Sequence, residues 1–235
     1  QKPELNQKPD KNAPIGVFDS GVGGLTVARE IMRQMPEERI VYFGDTARVP
    51  YGSKSQDTII RYSRQIIRFL MTKHVKAIVI ACNTASAYAL ATVEKEFDVP
   101  IIGVIRAGAR TAVQVTRNGK IGVIATEGTI GSGIYTQEIK KLRPDIEVTG
   151  KPCPLFVPLV EEGLLHDSVT DEIASRYLSS LKSRFVDTLV LGCTHYPLIR
   201  STLGRLMGND VTLVNPAYET AIELRDLLQK YGLSC

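Results

Sequence analysis

A chain of 235 residues with 43% hydrophobic and 23% charged side chains holds enough apolar material for one large or two modest cores, in the balance of an ordinary soluble globular protein. The formal charge of +4 is spread along the chain without a Lys/Arg block, which argues against nucleic-acid binding as the main role. The four cysteines, at 82, 153, 193 and 235, form no CxxC pair, which argues against both a zinc knuckle and a secreted disulfide framework.

The start, QKPELNQKPDKNA, is polar and has no apolar signal-peptide core. It reads as a flexible tail over residues 1–13, and the chain as cytoplasmic. From Pro14 onward, short apolar runs alternate with longer amphipathic segments. PIGVFD (14–19) reads as a first strand, ending in Asp19-Ser20 and a GVGG loop, and RIVYFGD (39–45) reads as a second. SQDTIIRYSRQIIRFLMTKH (55–74) carries apolar residues three and four apart and reads as a helix. AIVIAC (77–82) is a strand ending in Cys82, with helical NTASAYALATVEKEF directly after it. PIIGVI (100–105) and KIGVIAT (120–126) are further strands, SVTDEIASRYLSSLKSRF (168–185) a helix, and TLVLGC (188–193) a strand ending in Cys193 before THYPLIRSTLGRLM. The apolar runs are far too short to cross a bilayer.

This alternation is the βαβ grammar of a parallel sheet covered by helices, and unbroken apolar runs are strands buried on both faces. Ligands in such sheets gather beyond the carboxyl ends of the strands, so the residues that end each run matter most. Those ends suggest a duplication. IGVFDSGVGG and IGVIATEGTI start 106 residues apart, at Ile15 and Ile121, while Cys82 and Cys193 stand 111 apart. A repeat implies two α/β domains facing each other across a cleft, with one thiol on each wall.

At a strand-to-helix junction, free N–H groups and the helix dipole favour a thiolate and draw its pKa down. One such thiol suggests a nucleophile. Two facing thiols suggest proton removal on one side of a carbon and delivery on the other, as inversion of a stereocentre requires. His195, two residues past Cys193, and Asp19, at the end of the first strand, are candidate helpers, whereas His74 and His166 read as surface residues. Hydroxyls and amides at the strand ends suit a small carboxylate substrate. GVGG is weak evidence for a nucleotide site, because Thr26 stands where G-x-G-x-x-G needs its third glycine.

Taken together, FDSGVGGLTV, YFGDTARVPYGSKS, VIACNTASAYAL, GVIATEGTIGSGIY, FVPLVEEG and LVLGCTHYPLI closely resemble the glutamate racemases of the aspartate/glutamate racemase superfamily, in order from about residue 14 to 230. The resemblance implies two similar three-layer α/β domains with mainly parallel sheets, related by a pseudo-twofold axis, with the active site in the cleft between them. Its boundaries are 14–105 with 217–235 for the first domain and 106–216 for the second. It implies an isomerase that converts L-glutamate to D-glutamate for peptidoglycan without pyridoxal phosphate or a metal, and that commonly forms a homodimer. Cys82 and Cys193 match the two acid/base thiols, assisted by Asp19, His195 and Glu161. Asp19, Ser20, Pro50, Tyr51, Gly52, Asn83, Thr84, Thr126, Thr129, Thr194 and His195 match substrate-holding positions. Cys153 and Cys235 match no catalytic position.

Two departures stand out. Arg106-Ala107 replaces a Glu-Pro pair common in the family, and family members usually continue beyond the position of Cys235 through a further strand and helix. Other readings stay open on the residues alone: a racemase for aspartate or a hydantoin, or a non-catalytic two-domain amino-acid-binding protein. A phosphatase-like use of Cys193 with Arg200 fails on spacing, one residue longer than a C-x5-R loop.

Overall fold

The computed structural model describes residues 10–235, which fall into two compact units. The first comprises the chain up to Val104 together with Ala217–Cys235, and the second Ile105–Pro216.

The first unit runs β1 (Ile15–Asp19), α1 (Leu25–Gln34), β2 (Ile40–Gly44), α2 (Gln56–Met71), β3 (Ala77–Ile80), α3 (Asn83–Glu96) and β4 (Ile101–Gly103). Its four strands are all parallel, in the order β2-β1-β3-β4. β1 and β3 are central and wholly buried, which is why their sequences are continuously apolar rather than alternating. The face of α2 that bears Ile59, Ser63, Ile66, Ile67 and Leu70 packs inward, at the three- and four-residue spacing that puts side chains on one stripe of a helix. Each large aliphatic side chain buried there stabilises the fold by roughly 1.5–3 kcal/mol.

The second unit runs α4 (Ile105–Val115), β5 (Lys120–Ala125), α5 (Glu127–Ser132), α6 (Ile134–Leu142), β6 (Glu147–Pro152), α7 (Phe156–Glu161), α8 (Ser168–Ser183), β7 (Thr188–Gly192), a 3-10 turn at Tyr196–Ile199, α9 (Arg200–Met207) and β8 (Thr212–Val214). Its sheet is again four parallel strands, in the order β6-β5-β7-β8. α10 (Pro216–Tyr231) follows and lies, from Ala217, in the first unit. Both sheets thus share one topology: the second strand of the unit at one edge, then the first, third and fourth. The internal repeat seen in the sequence is a repeat of architecture.

Two strands escape the sequence pattern. β6, EVTGKP, is an edge strand with no fully buried residue, and β8 is only three residues long. The expected tail also ends sooner than residue 13. Residues 1–9 lie outside the described residues, but residues 10–13 are held: the ammonium of Lys76 donates to Lys11 O at 2.5 Å and Arg39 donates to Asn12 O. Lys76 is buried and pairs with Glu38 at 2.5 Å, and a buried ammonium needs every available acceptor. Among the described residues no helix is long and apolar enough to cross a membrane.

Candidate active-site residues

In the first unit, Cys82 comes two residues after β3 and caps α3. Its backbone is extended and its Sγ accepts a hydrogen bond from the Ala85 amide at 3.4 Å. The polar groups of Ser20, next after Asp19, also favour the ionised sulfur. Parallel pairing of β1 with β3, Phe18 against Ile80, brings Asp19 beside the strand that leads to the thiol. The Asp19 carboxylate is anchored through Oδ2, which accepts from Gly21 N at 3.2 Å and Gly24 N at 2.9 Å. Asn83 and Thr84 open α3 and are buried.

The expectation of a lowered thiol pKa fails at Cys82, which is pushed up to about 12. Burial is the largest cause, and the Asp19 charge adds to it; the Ala85 hydrogen bond and the polar groups of Ser20 oppose both and lose. Cys82 therefore rests as a protonated thiol.

Pro50, Tyr51 and Gly52 follow a cis Val49–Pro50 peptide. Tyr51 is 1% exposed and shares a hydrophobic cluster with Cys82. Its hydroxyl donates to the Asp45 carboxylate, which also pairs with Arg48 Nε at 2.7 Å. The Tyr51 side chain is committed to the interior, so exposed Pro50 and half-buried Gly52 are what this loop presents outward.

In the second unit, Ala125 of β5 pairs with Gly192 of β7, which sets Thr126 beside Cys193. Thr126 caps α5, accepting from Thr129 N at 3.3 Å and bonding its hydroxyl at 3.2 Å. Cys193 does not lead straight into a helix. A turn comes first, closed by Tyr196 N on Cys193 O at 3.1 Å and Leu198 N on His195 O at 3.2 Å, and the 3-10 turn then carries the chain into α9.

That turn folds His195 back onto the thiol. Cys193 Sγ lies 3.8 Å from His195 Nδ1, and His195 Nε2 lies 3.1 Å from Glu161 Oε1 at the end of α7. An ionised carboxylate only accepts, which assigns the proton to Nε2 and turns the Nδ1 lone pair to the thiol. His195 is buried, while 44% of the Glu161 side chain is exposed. A thiol, an imidazole and a carboxylate in line can pass a proton off the sulfur and hold the resulting imidazolium. Tyr196 braces the turn: it is buried, donates to Cys153 O at 3.2 Å and meets Phe156 edge-on at 5.3 Å. Thr194 is buried next to the thiol in sequence.

The sequence-derived residues at 19–20, 82–84, 126–129 and 193–195 thus gather at the carboxyl ends of the central strands of their units, whereas residues 50–52 lie in the loop after edge strand β2 and Glu161 ends α7. Sequence reasoning missed Tyr42 and Asp45 in the first unit. Applying the strand-end rule to RIVYFGD would have found Asp45. It also missed Tyr135, whose ring packs under Gly192 and whose ionisation is opposed by burial and then by the charge of Cys193. His74 and His166 are exposed. Cys153 is buried, with its thiol pushed up to about 12 by burial, and Cys235 is exposed. Among the described residues no group of three or more His, Cys, Asp or Glu could hold a metal ion.

The chain is similar to known proteins over most of its length. The family model for Asp/Glu/hydantoin racemases matches residues 15–222. The glutamate racemase of Geobacter metallireducens is 53% identical over 215 residues, covering 92% of this chain and 80% of that protein. Among solved structures, glutamate racemase isoform RacE1 from Bacillus anthracis superposes with a TM-score of 0.92 at 45% identity, covering 95% of this chain and 84% of that one. Glutamate racemase from Francisella tularensis in complex with D-glutamate gives 0.90 at 42% identity, covering 96% and 84%. With a family match across nearly all of both units and a thiol ending a central strand in each, the chain belongs to the Asp/Glu/hydantoin racemase family.

Proposed function

We propose that this chain interconverts L- and D-glutamate by a two-base mechanism, in which one thiol removes the α-proton and the other returns a proton to the opposite face. The observation that carries this reading is the pair of thiols, each ending a central strand and each with its own proton-handling partner: Cys82 with Asp19 and Ser20, and Cys193 with His195 and Glu161. Glutamate is the substrate because the relatives that match over four-fifths of their length are glutamate racemases.

The two thiols divide the work. From L-glutamate, Cys82, protonated at rest, is the proton donor; the Asp19 charge that raises its pKa keeps that proton in place until a carbanion is there to receive it. Cys193 faces an imidazole lone pair steadied by Glu161, an arrangement suited to the base in that direction; from D-glutamate the roles exchange. By the family resemblance Cys193 serves L-glutamate and Cys82 serves D-glutamate. Ser20, Pro50, Gly52, Asn83, Thr84, Thr126, Thr129 and Thr194, with Tyr51 supporting its loop from within, are the residues we assign to holding the two carboxylates and the amino group. The same resemblance implies that D-glutamate made this way supplies peptidoglycan synthesis, and that the enzyme works in the cytoplasm as a homodimer.

Circular dichroism tests the reaction directly. Enantiopure L-glutamate should lose its signal in the presence of the protein with no added cofactor, while L-aspartate should keep it. Loss with aspartate alone would transfer the assignment to that substrate, and loss with neither would end it.

A further inference from the structure

Tyr42 lies in β2 opposite Val17 of β1, two residues before the Gly44–Asp19 pair. Its hydroxyl donates to Gly21 O at 2.8 Å. The peptide group on the other side of Gly21 bonds elsewhere: Gly21 N, with Gly24 N, holds the Asp19 carboxylate. One short loop is therefore fastened at its carbonyl by Tyr42 and at its amides by Asp19.

The packing allows little slack. A Cβ added at Gly24 would stand 2.5 Å from Asp19 Cβ and 2.9 Å from the Tyr42 hydroxyl, and one at Gly44 would stand 2.5 Å from Gly21 O. Burial, then the charges of Asp19 and Cys82, oppose ionisation of Tyr42, so the hydroxyl keeps the proton that it donates.

We propose that Tyr42 is a positioning residue for racemisation: its hydroxyl, acting through the Gly21 carbonyl, fixes the loop that holds the Asp19 carboxylate beside the Cys82 thiol. The proposal rests on the reading of Cys82 and Asp19 as the proton-handling pair of the first unit.

Tyr42→Phe, Asp19→Asn and the double variant test it with α-deuterated glutamate. Tyr42→Phe leaves the ring in place and removes one hydrogen bond, so kcat/KM should fall about tenfold. The fall must be equal for both enantiomers, because the equilibrium constant between them is one. The isotope effect need not be equal, and should grow from D-glutamate, whose proton Cys82 removes, while staying unchanged from L-glutamate. The double variant should be no slower than Asp19→Asn beyond about twofold, since one residue acts through the other. 4-Aminophenylalanine at position 42, which restores a donor on the same ring, should recover the rate and also separates loss of the bond from loss of the fold.

A Tyr42→Phe rate within twofold of the parent, independent losses in the double variant, or an isotope effect that grows from L-glutamate would overturn the positioning role while leaving Asp19 in its own. Normal racemisation by Asp19→Asn would overturn the underlying reading and the proposal with it.

Discussion

The raised pKa of Cys82 sets a reactivity that can be measured thiol by thiol. With a pKa of about 12 in place of the ordinary 9.0, the thiolate fraction at pH 8 falls from roughly one part in ten to about one part in ten thousand, a factor of about a thousand. A thiolate of higher pKa is also the stronger nucleophile, with a Brønsted slope of about 0.4–0.5, so three units of basicity restore a factor of about fifteen to thirty. The net expectation is that Cys82 reacts with a small aromatic disulfide roughly 30- to 60-fold more slowly at pH 8 than a free thiol, before any penalty for access. Peptide mass spectrometry separates Cys82 from exposed Cys235. The pH profile then isolates ionisation from burial, because restricted access lowers the rate equally at every pH and leaves the slope untouched. The logarithm of the Cys82 rate should climb by about one per pH unit up to pH 11, and Asp19→Asn, which removes the second cause of the shift, should raise the rate at pH 8. A rate that levels off below about pH 10 would refute the argument that burial and the Asp19 charge outweigh the helix N-terminus.

Three further outcomes follow from the same geometry. Cys82 and Cys153 both hold their protons to about pH 12 when folded, so above pH 9 the unfolded chain binds fewer protons and stability must fall as pH rises, by up to about 1.4 kcal/mol per pH unit for each thiol between pH 9 and 12. Below pH 9 that contribution is intact, and urea titrations of Cys153→Ala should show a shallower alkaline decline than the parent; an identical slope would count against the Cys153 shift. Glu161→Gln should cut kcat by about ten- to a hundredfold and enlarge the α-deuterium isotope effect from L-glutamate, whereas an unchanged rate would remove Glu161 from the Cys193–His195 chain. Gly24→Ala should cost about 1–3 kcal/mol in chemical denaturation, because its Cβ meets Asp19, while Gly131→Ala, with nothing within 4 Å, should be neutral or stabilising.

How much of this was legible beforehand depended on burial. The central strands of both sheets could be read because strands covered on two faces are written as apolar runs, and Cys82 and Cys193 could be found because they end such runs. β6 was not legible: EVTGKP sits at a sheet edge and carries no apolar run to signal it. The helper residues divide in the same way. His195 is two residues from its thiol in sequence, but Glu161 is 34 positions from His195, at the end of α7, and only the family resemblance pointed to it. Tyr42 was hidden because its role lies in a hydrogen bond to the loop after the neighbouring strand, which no local pattern records, whereas Asp45 follows an apolar run and was open to the strand-end rule. The sign of the Cys82 shift was misjudged for a related reason. A helix N-terminus is visible in sequence, whereas the depth of burial and an anion arriving from the adjacent strand are properties of the folded sheet.

The duplicated topology makes the difference between the two thiols informative. Equivalent strands end differently: β1 ends in Asp19, placing a carboxylate beside Cys82, while β5 ends in Ala125 and is followed by Thr126, which spends its hydroxyl on capping α5. The second unit therefore has no carboxylate at the matching position. Its carboxylate comes from the end of α7 and reaches the thiol through His195. A neighbouring anion favours the protonated thiol, and an imidazole lone pair facing a thiol can receive its proton. Two copies of one scaffold thereby surround their sulfurs, both buried, with different proton-handling groups. A two-base racemase needs one thiol able to accept a proton and the other able to give one, with the roles exchanged between the two directions. A carboxylate repeated beside Cys193 would oppose its ionisation and so its service as the base for L-glutamate. Replacing Thr126 with Asp puts that argument to the test: a carboxylate introduced beside Cys193 should raise the pH at which racemisation of L-glutamate reaches its plateau, and a profile unmoved by Thr126→Asp would show that the strand-end carboxylate does not set the protonation of its neighbouring thiol.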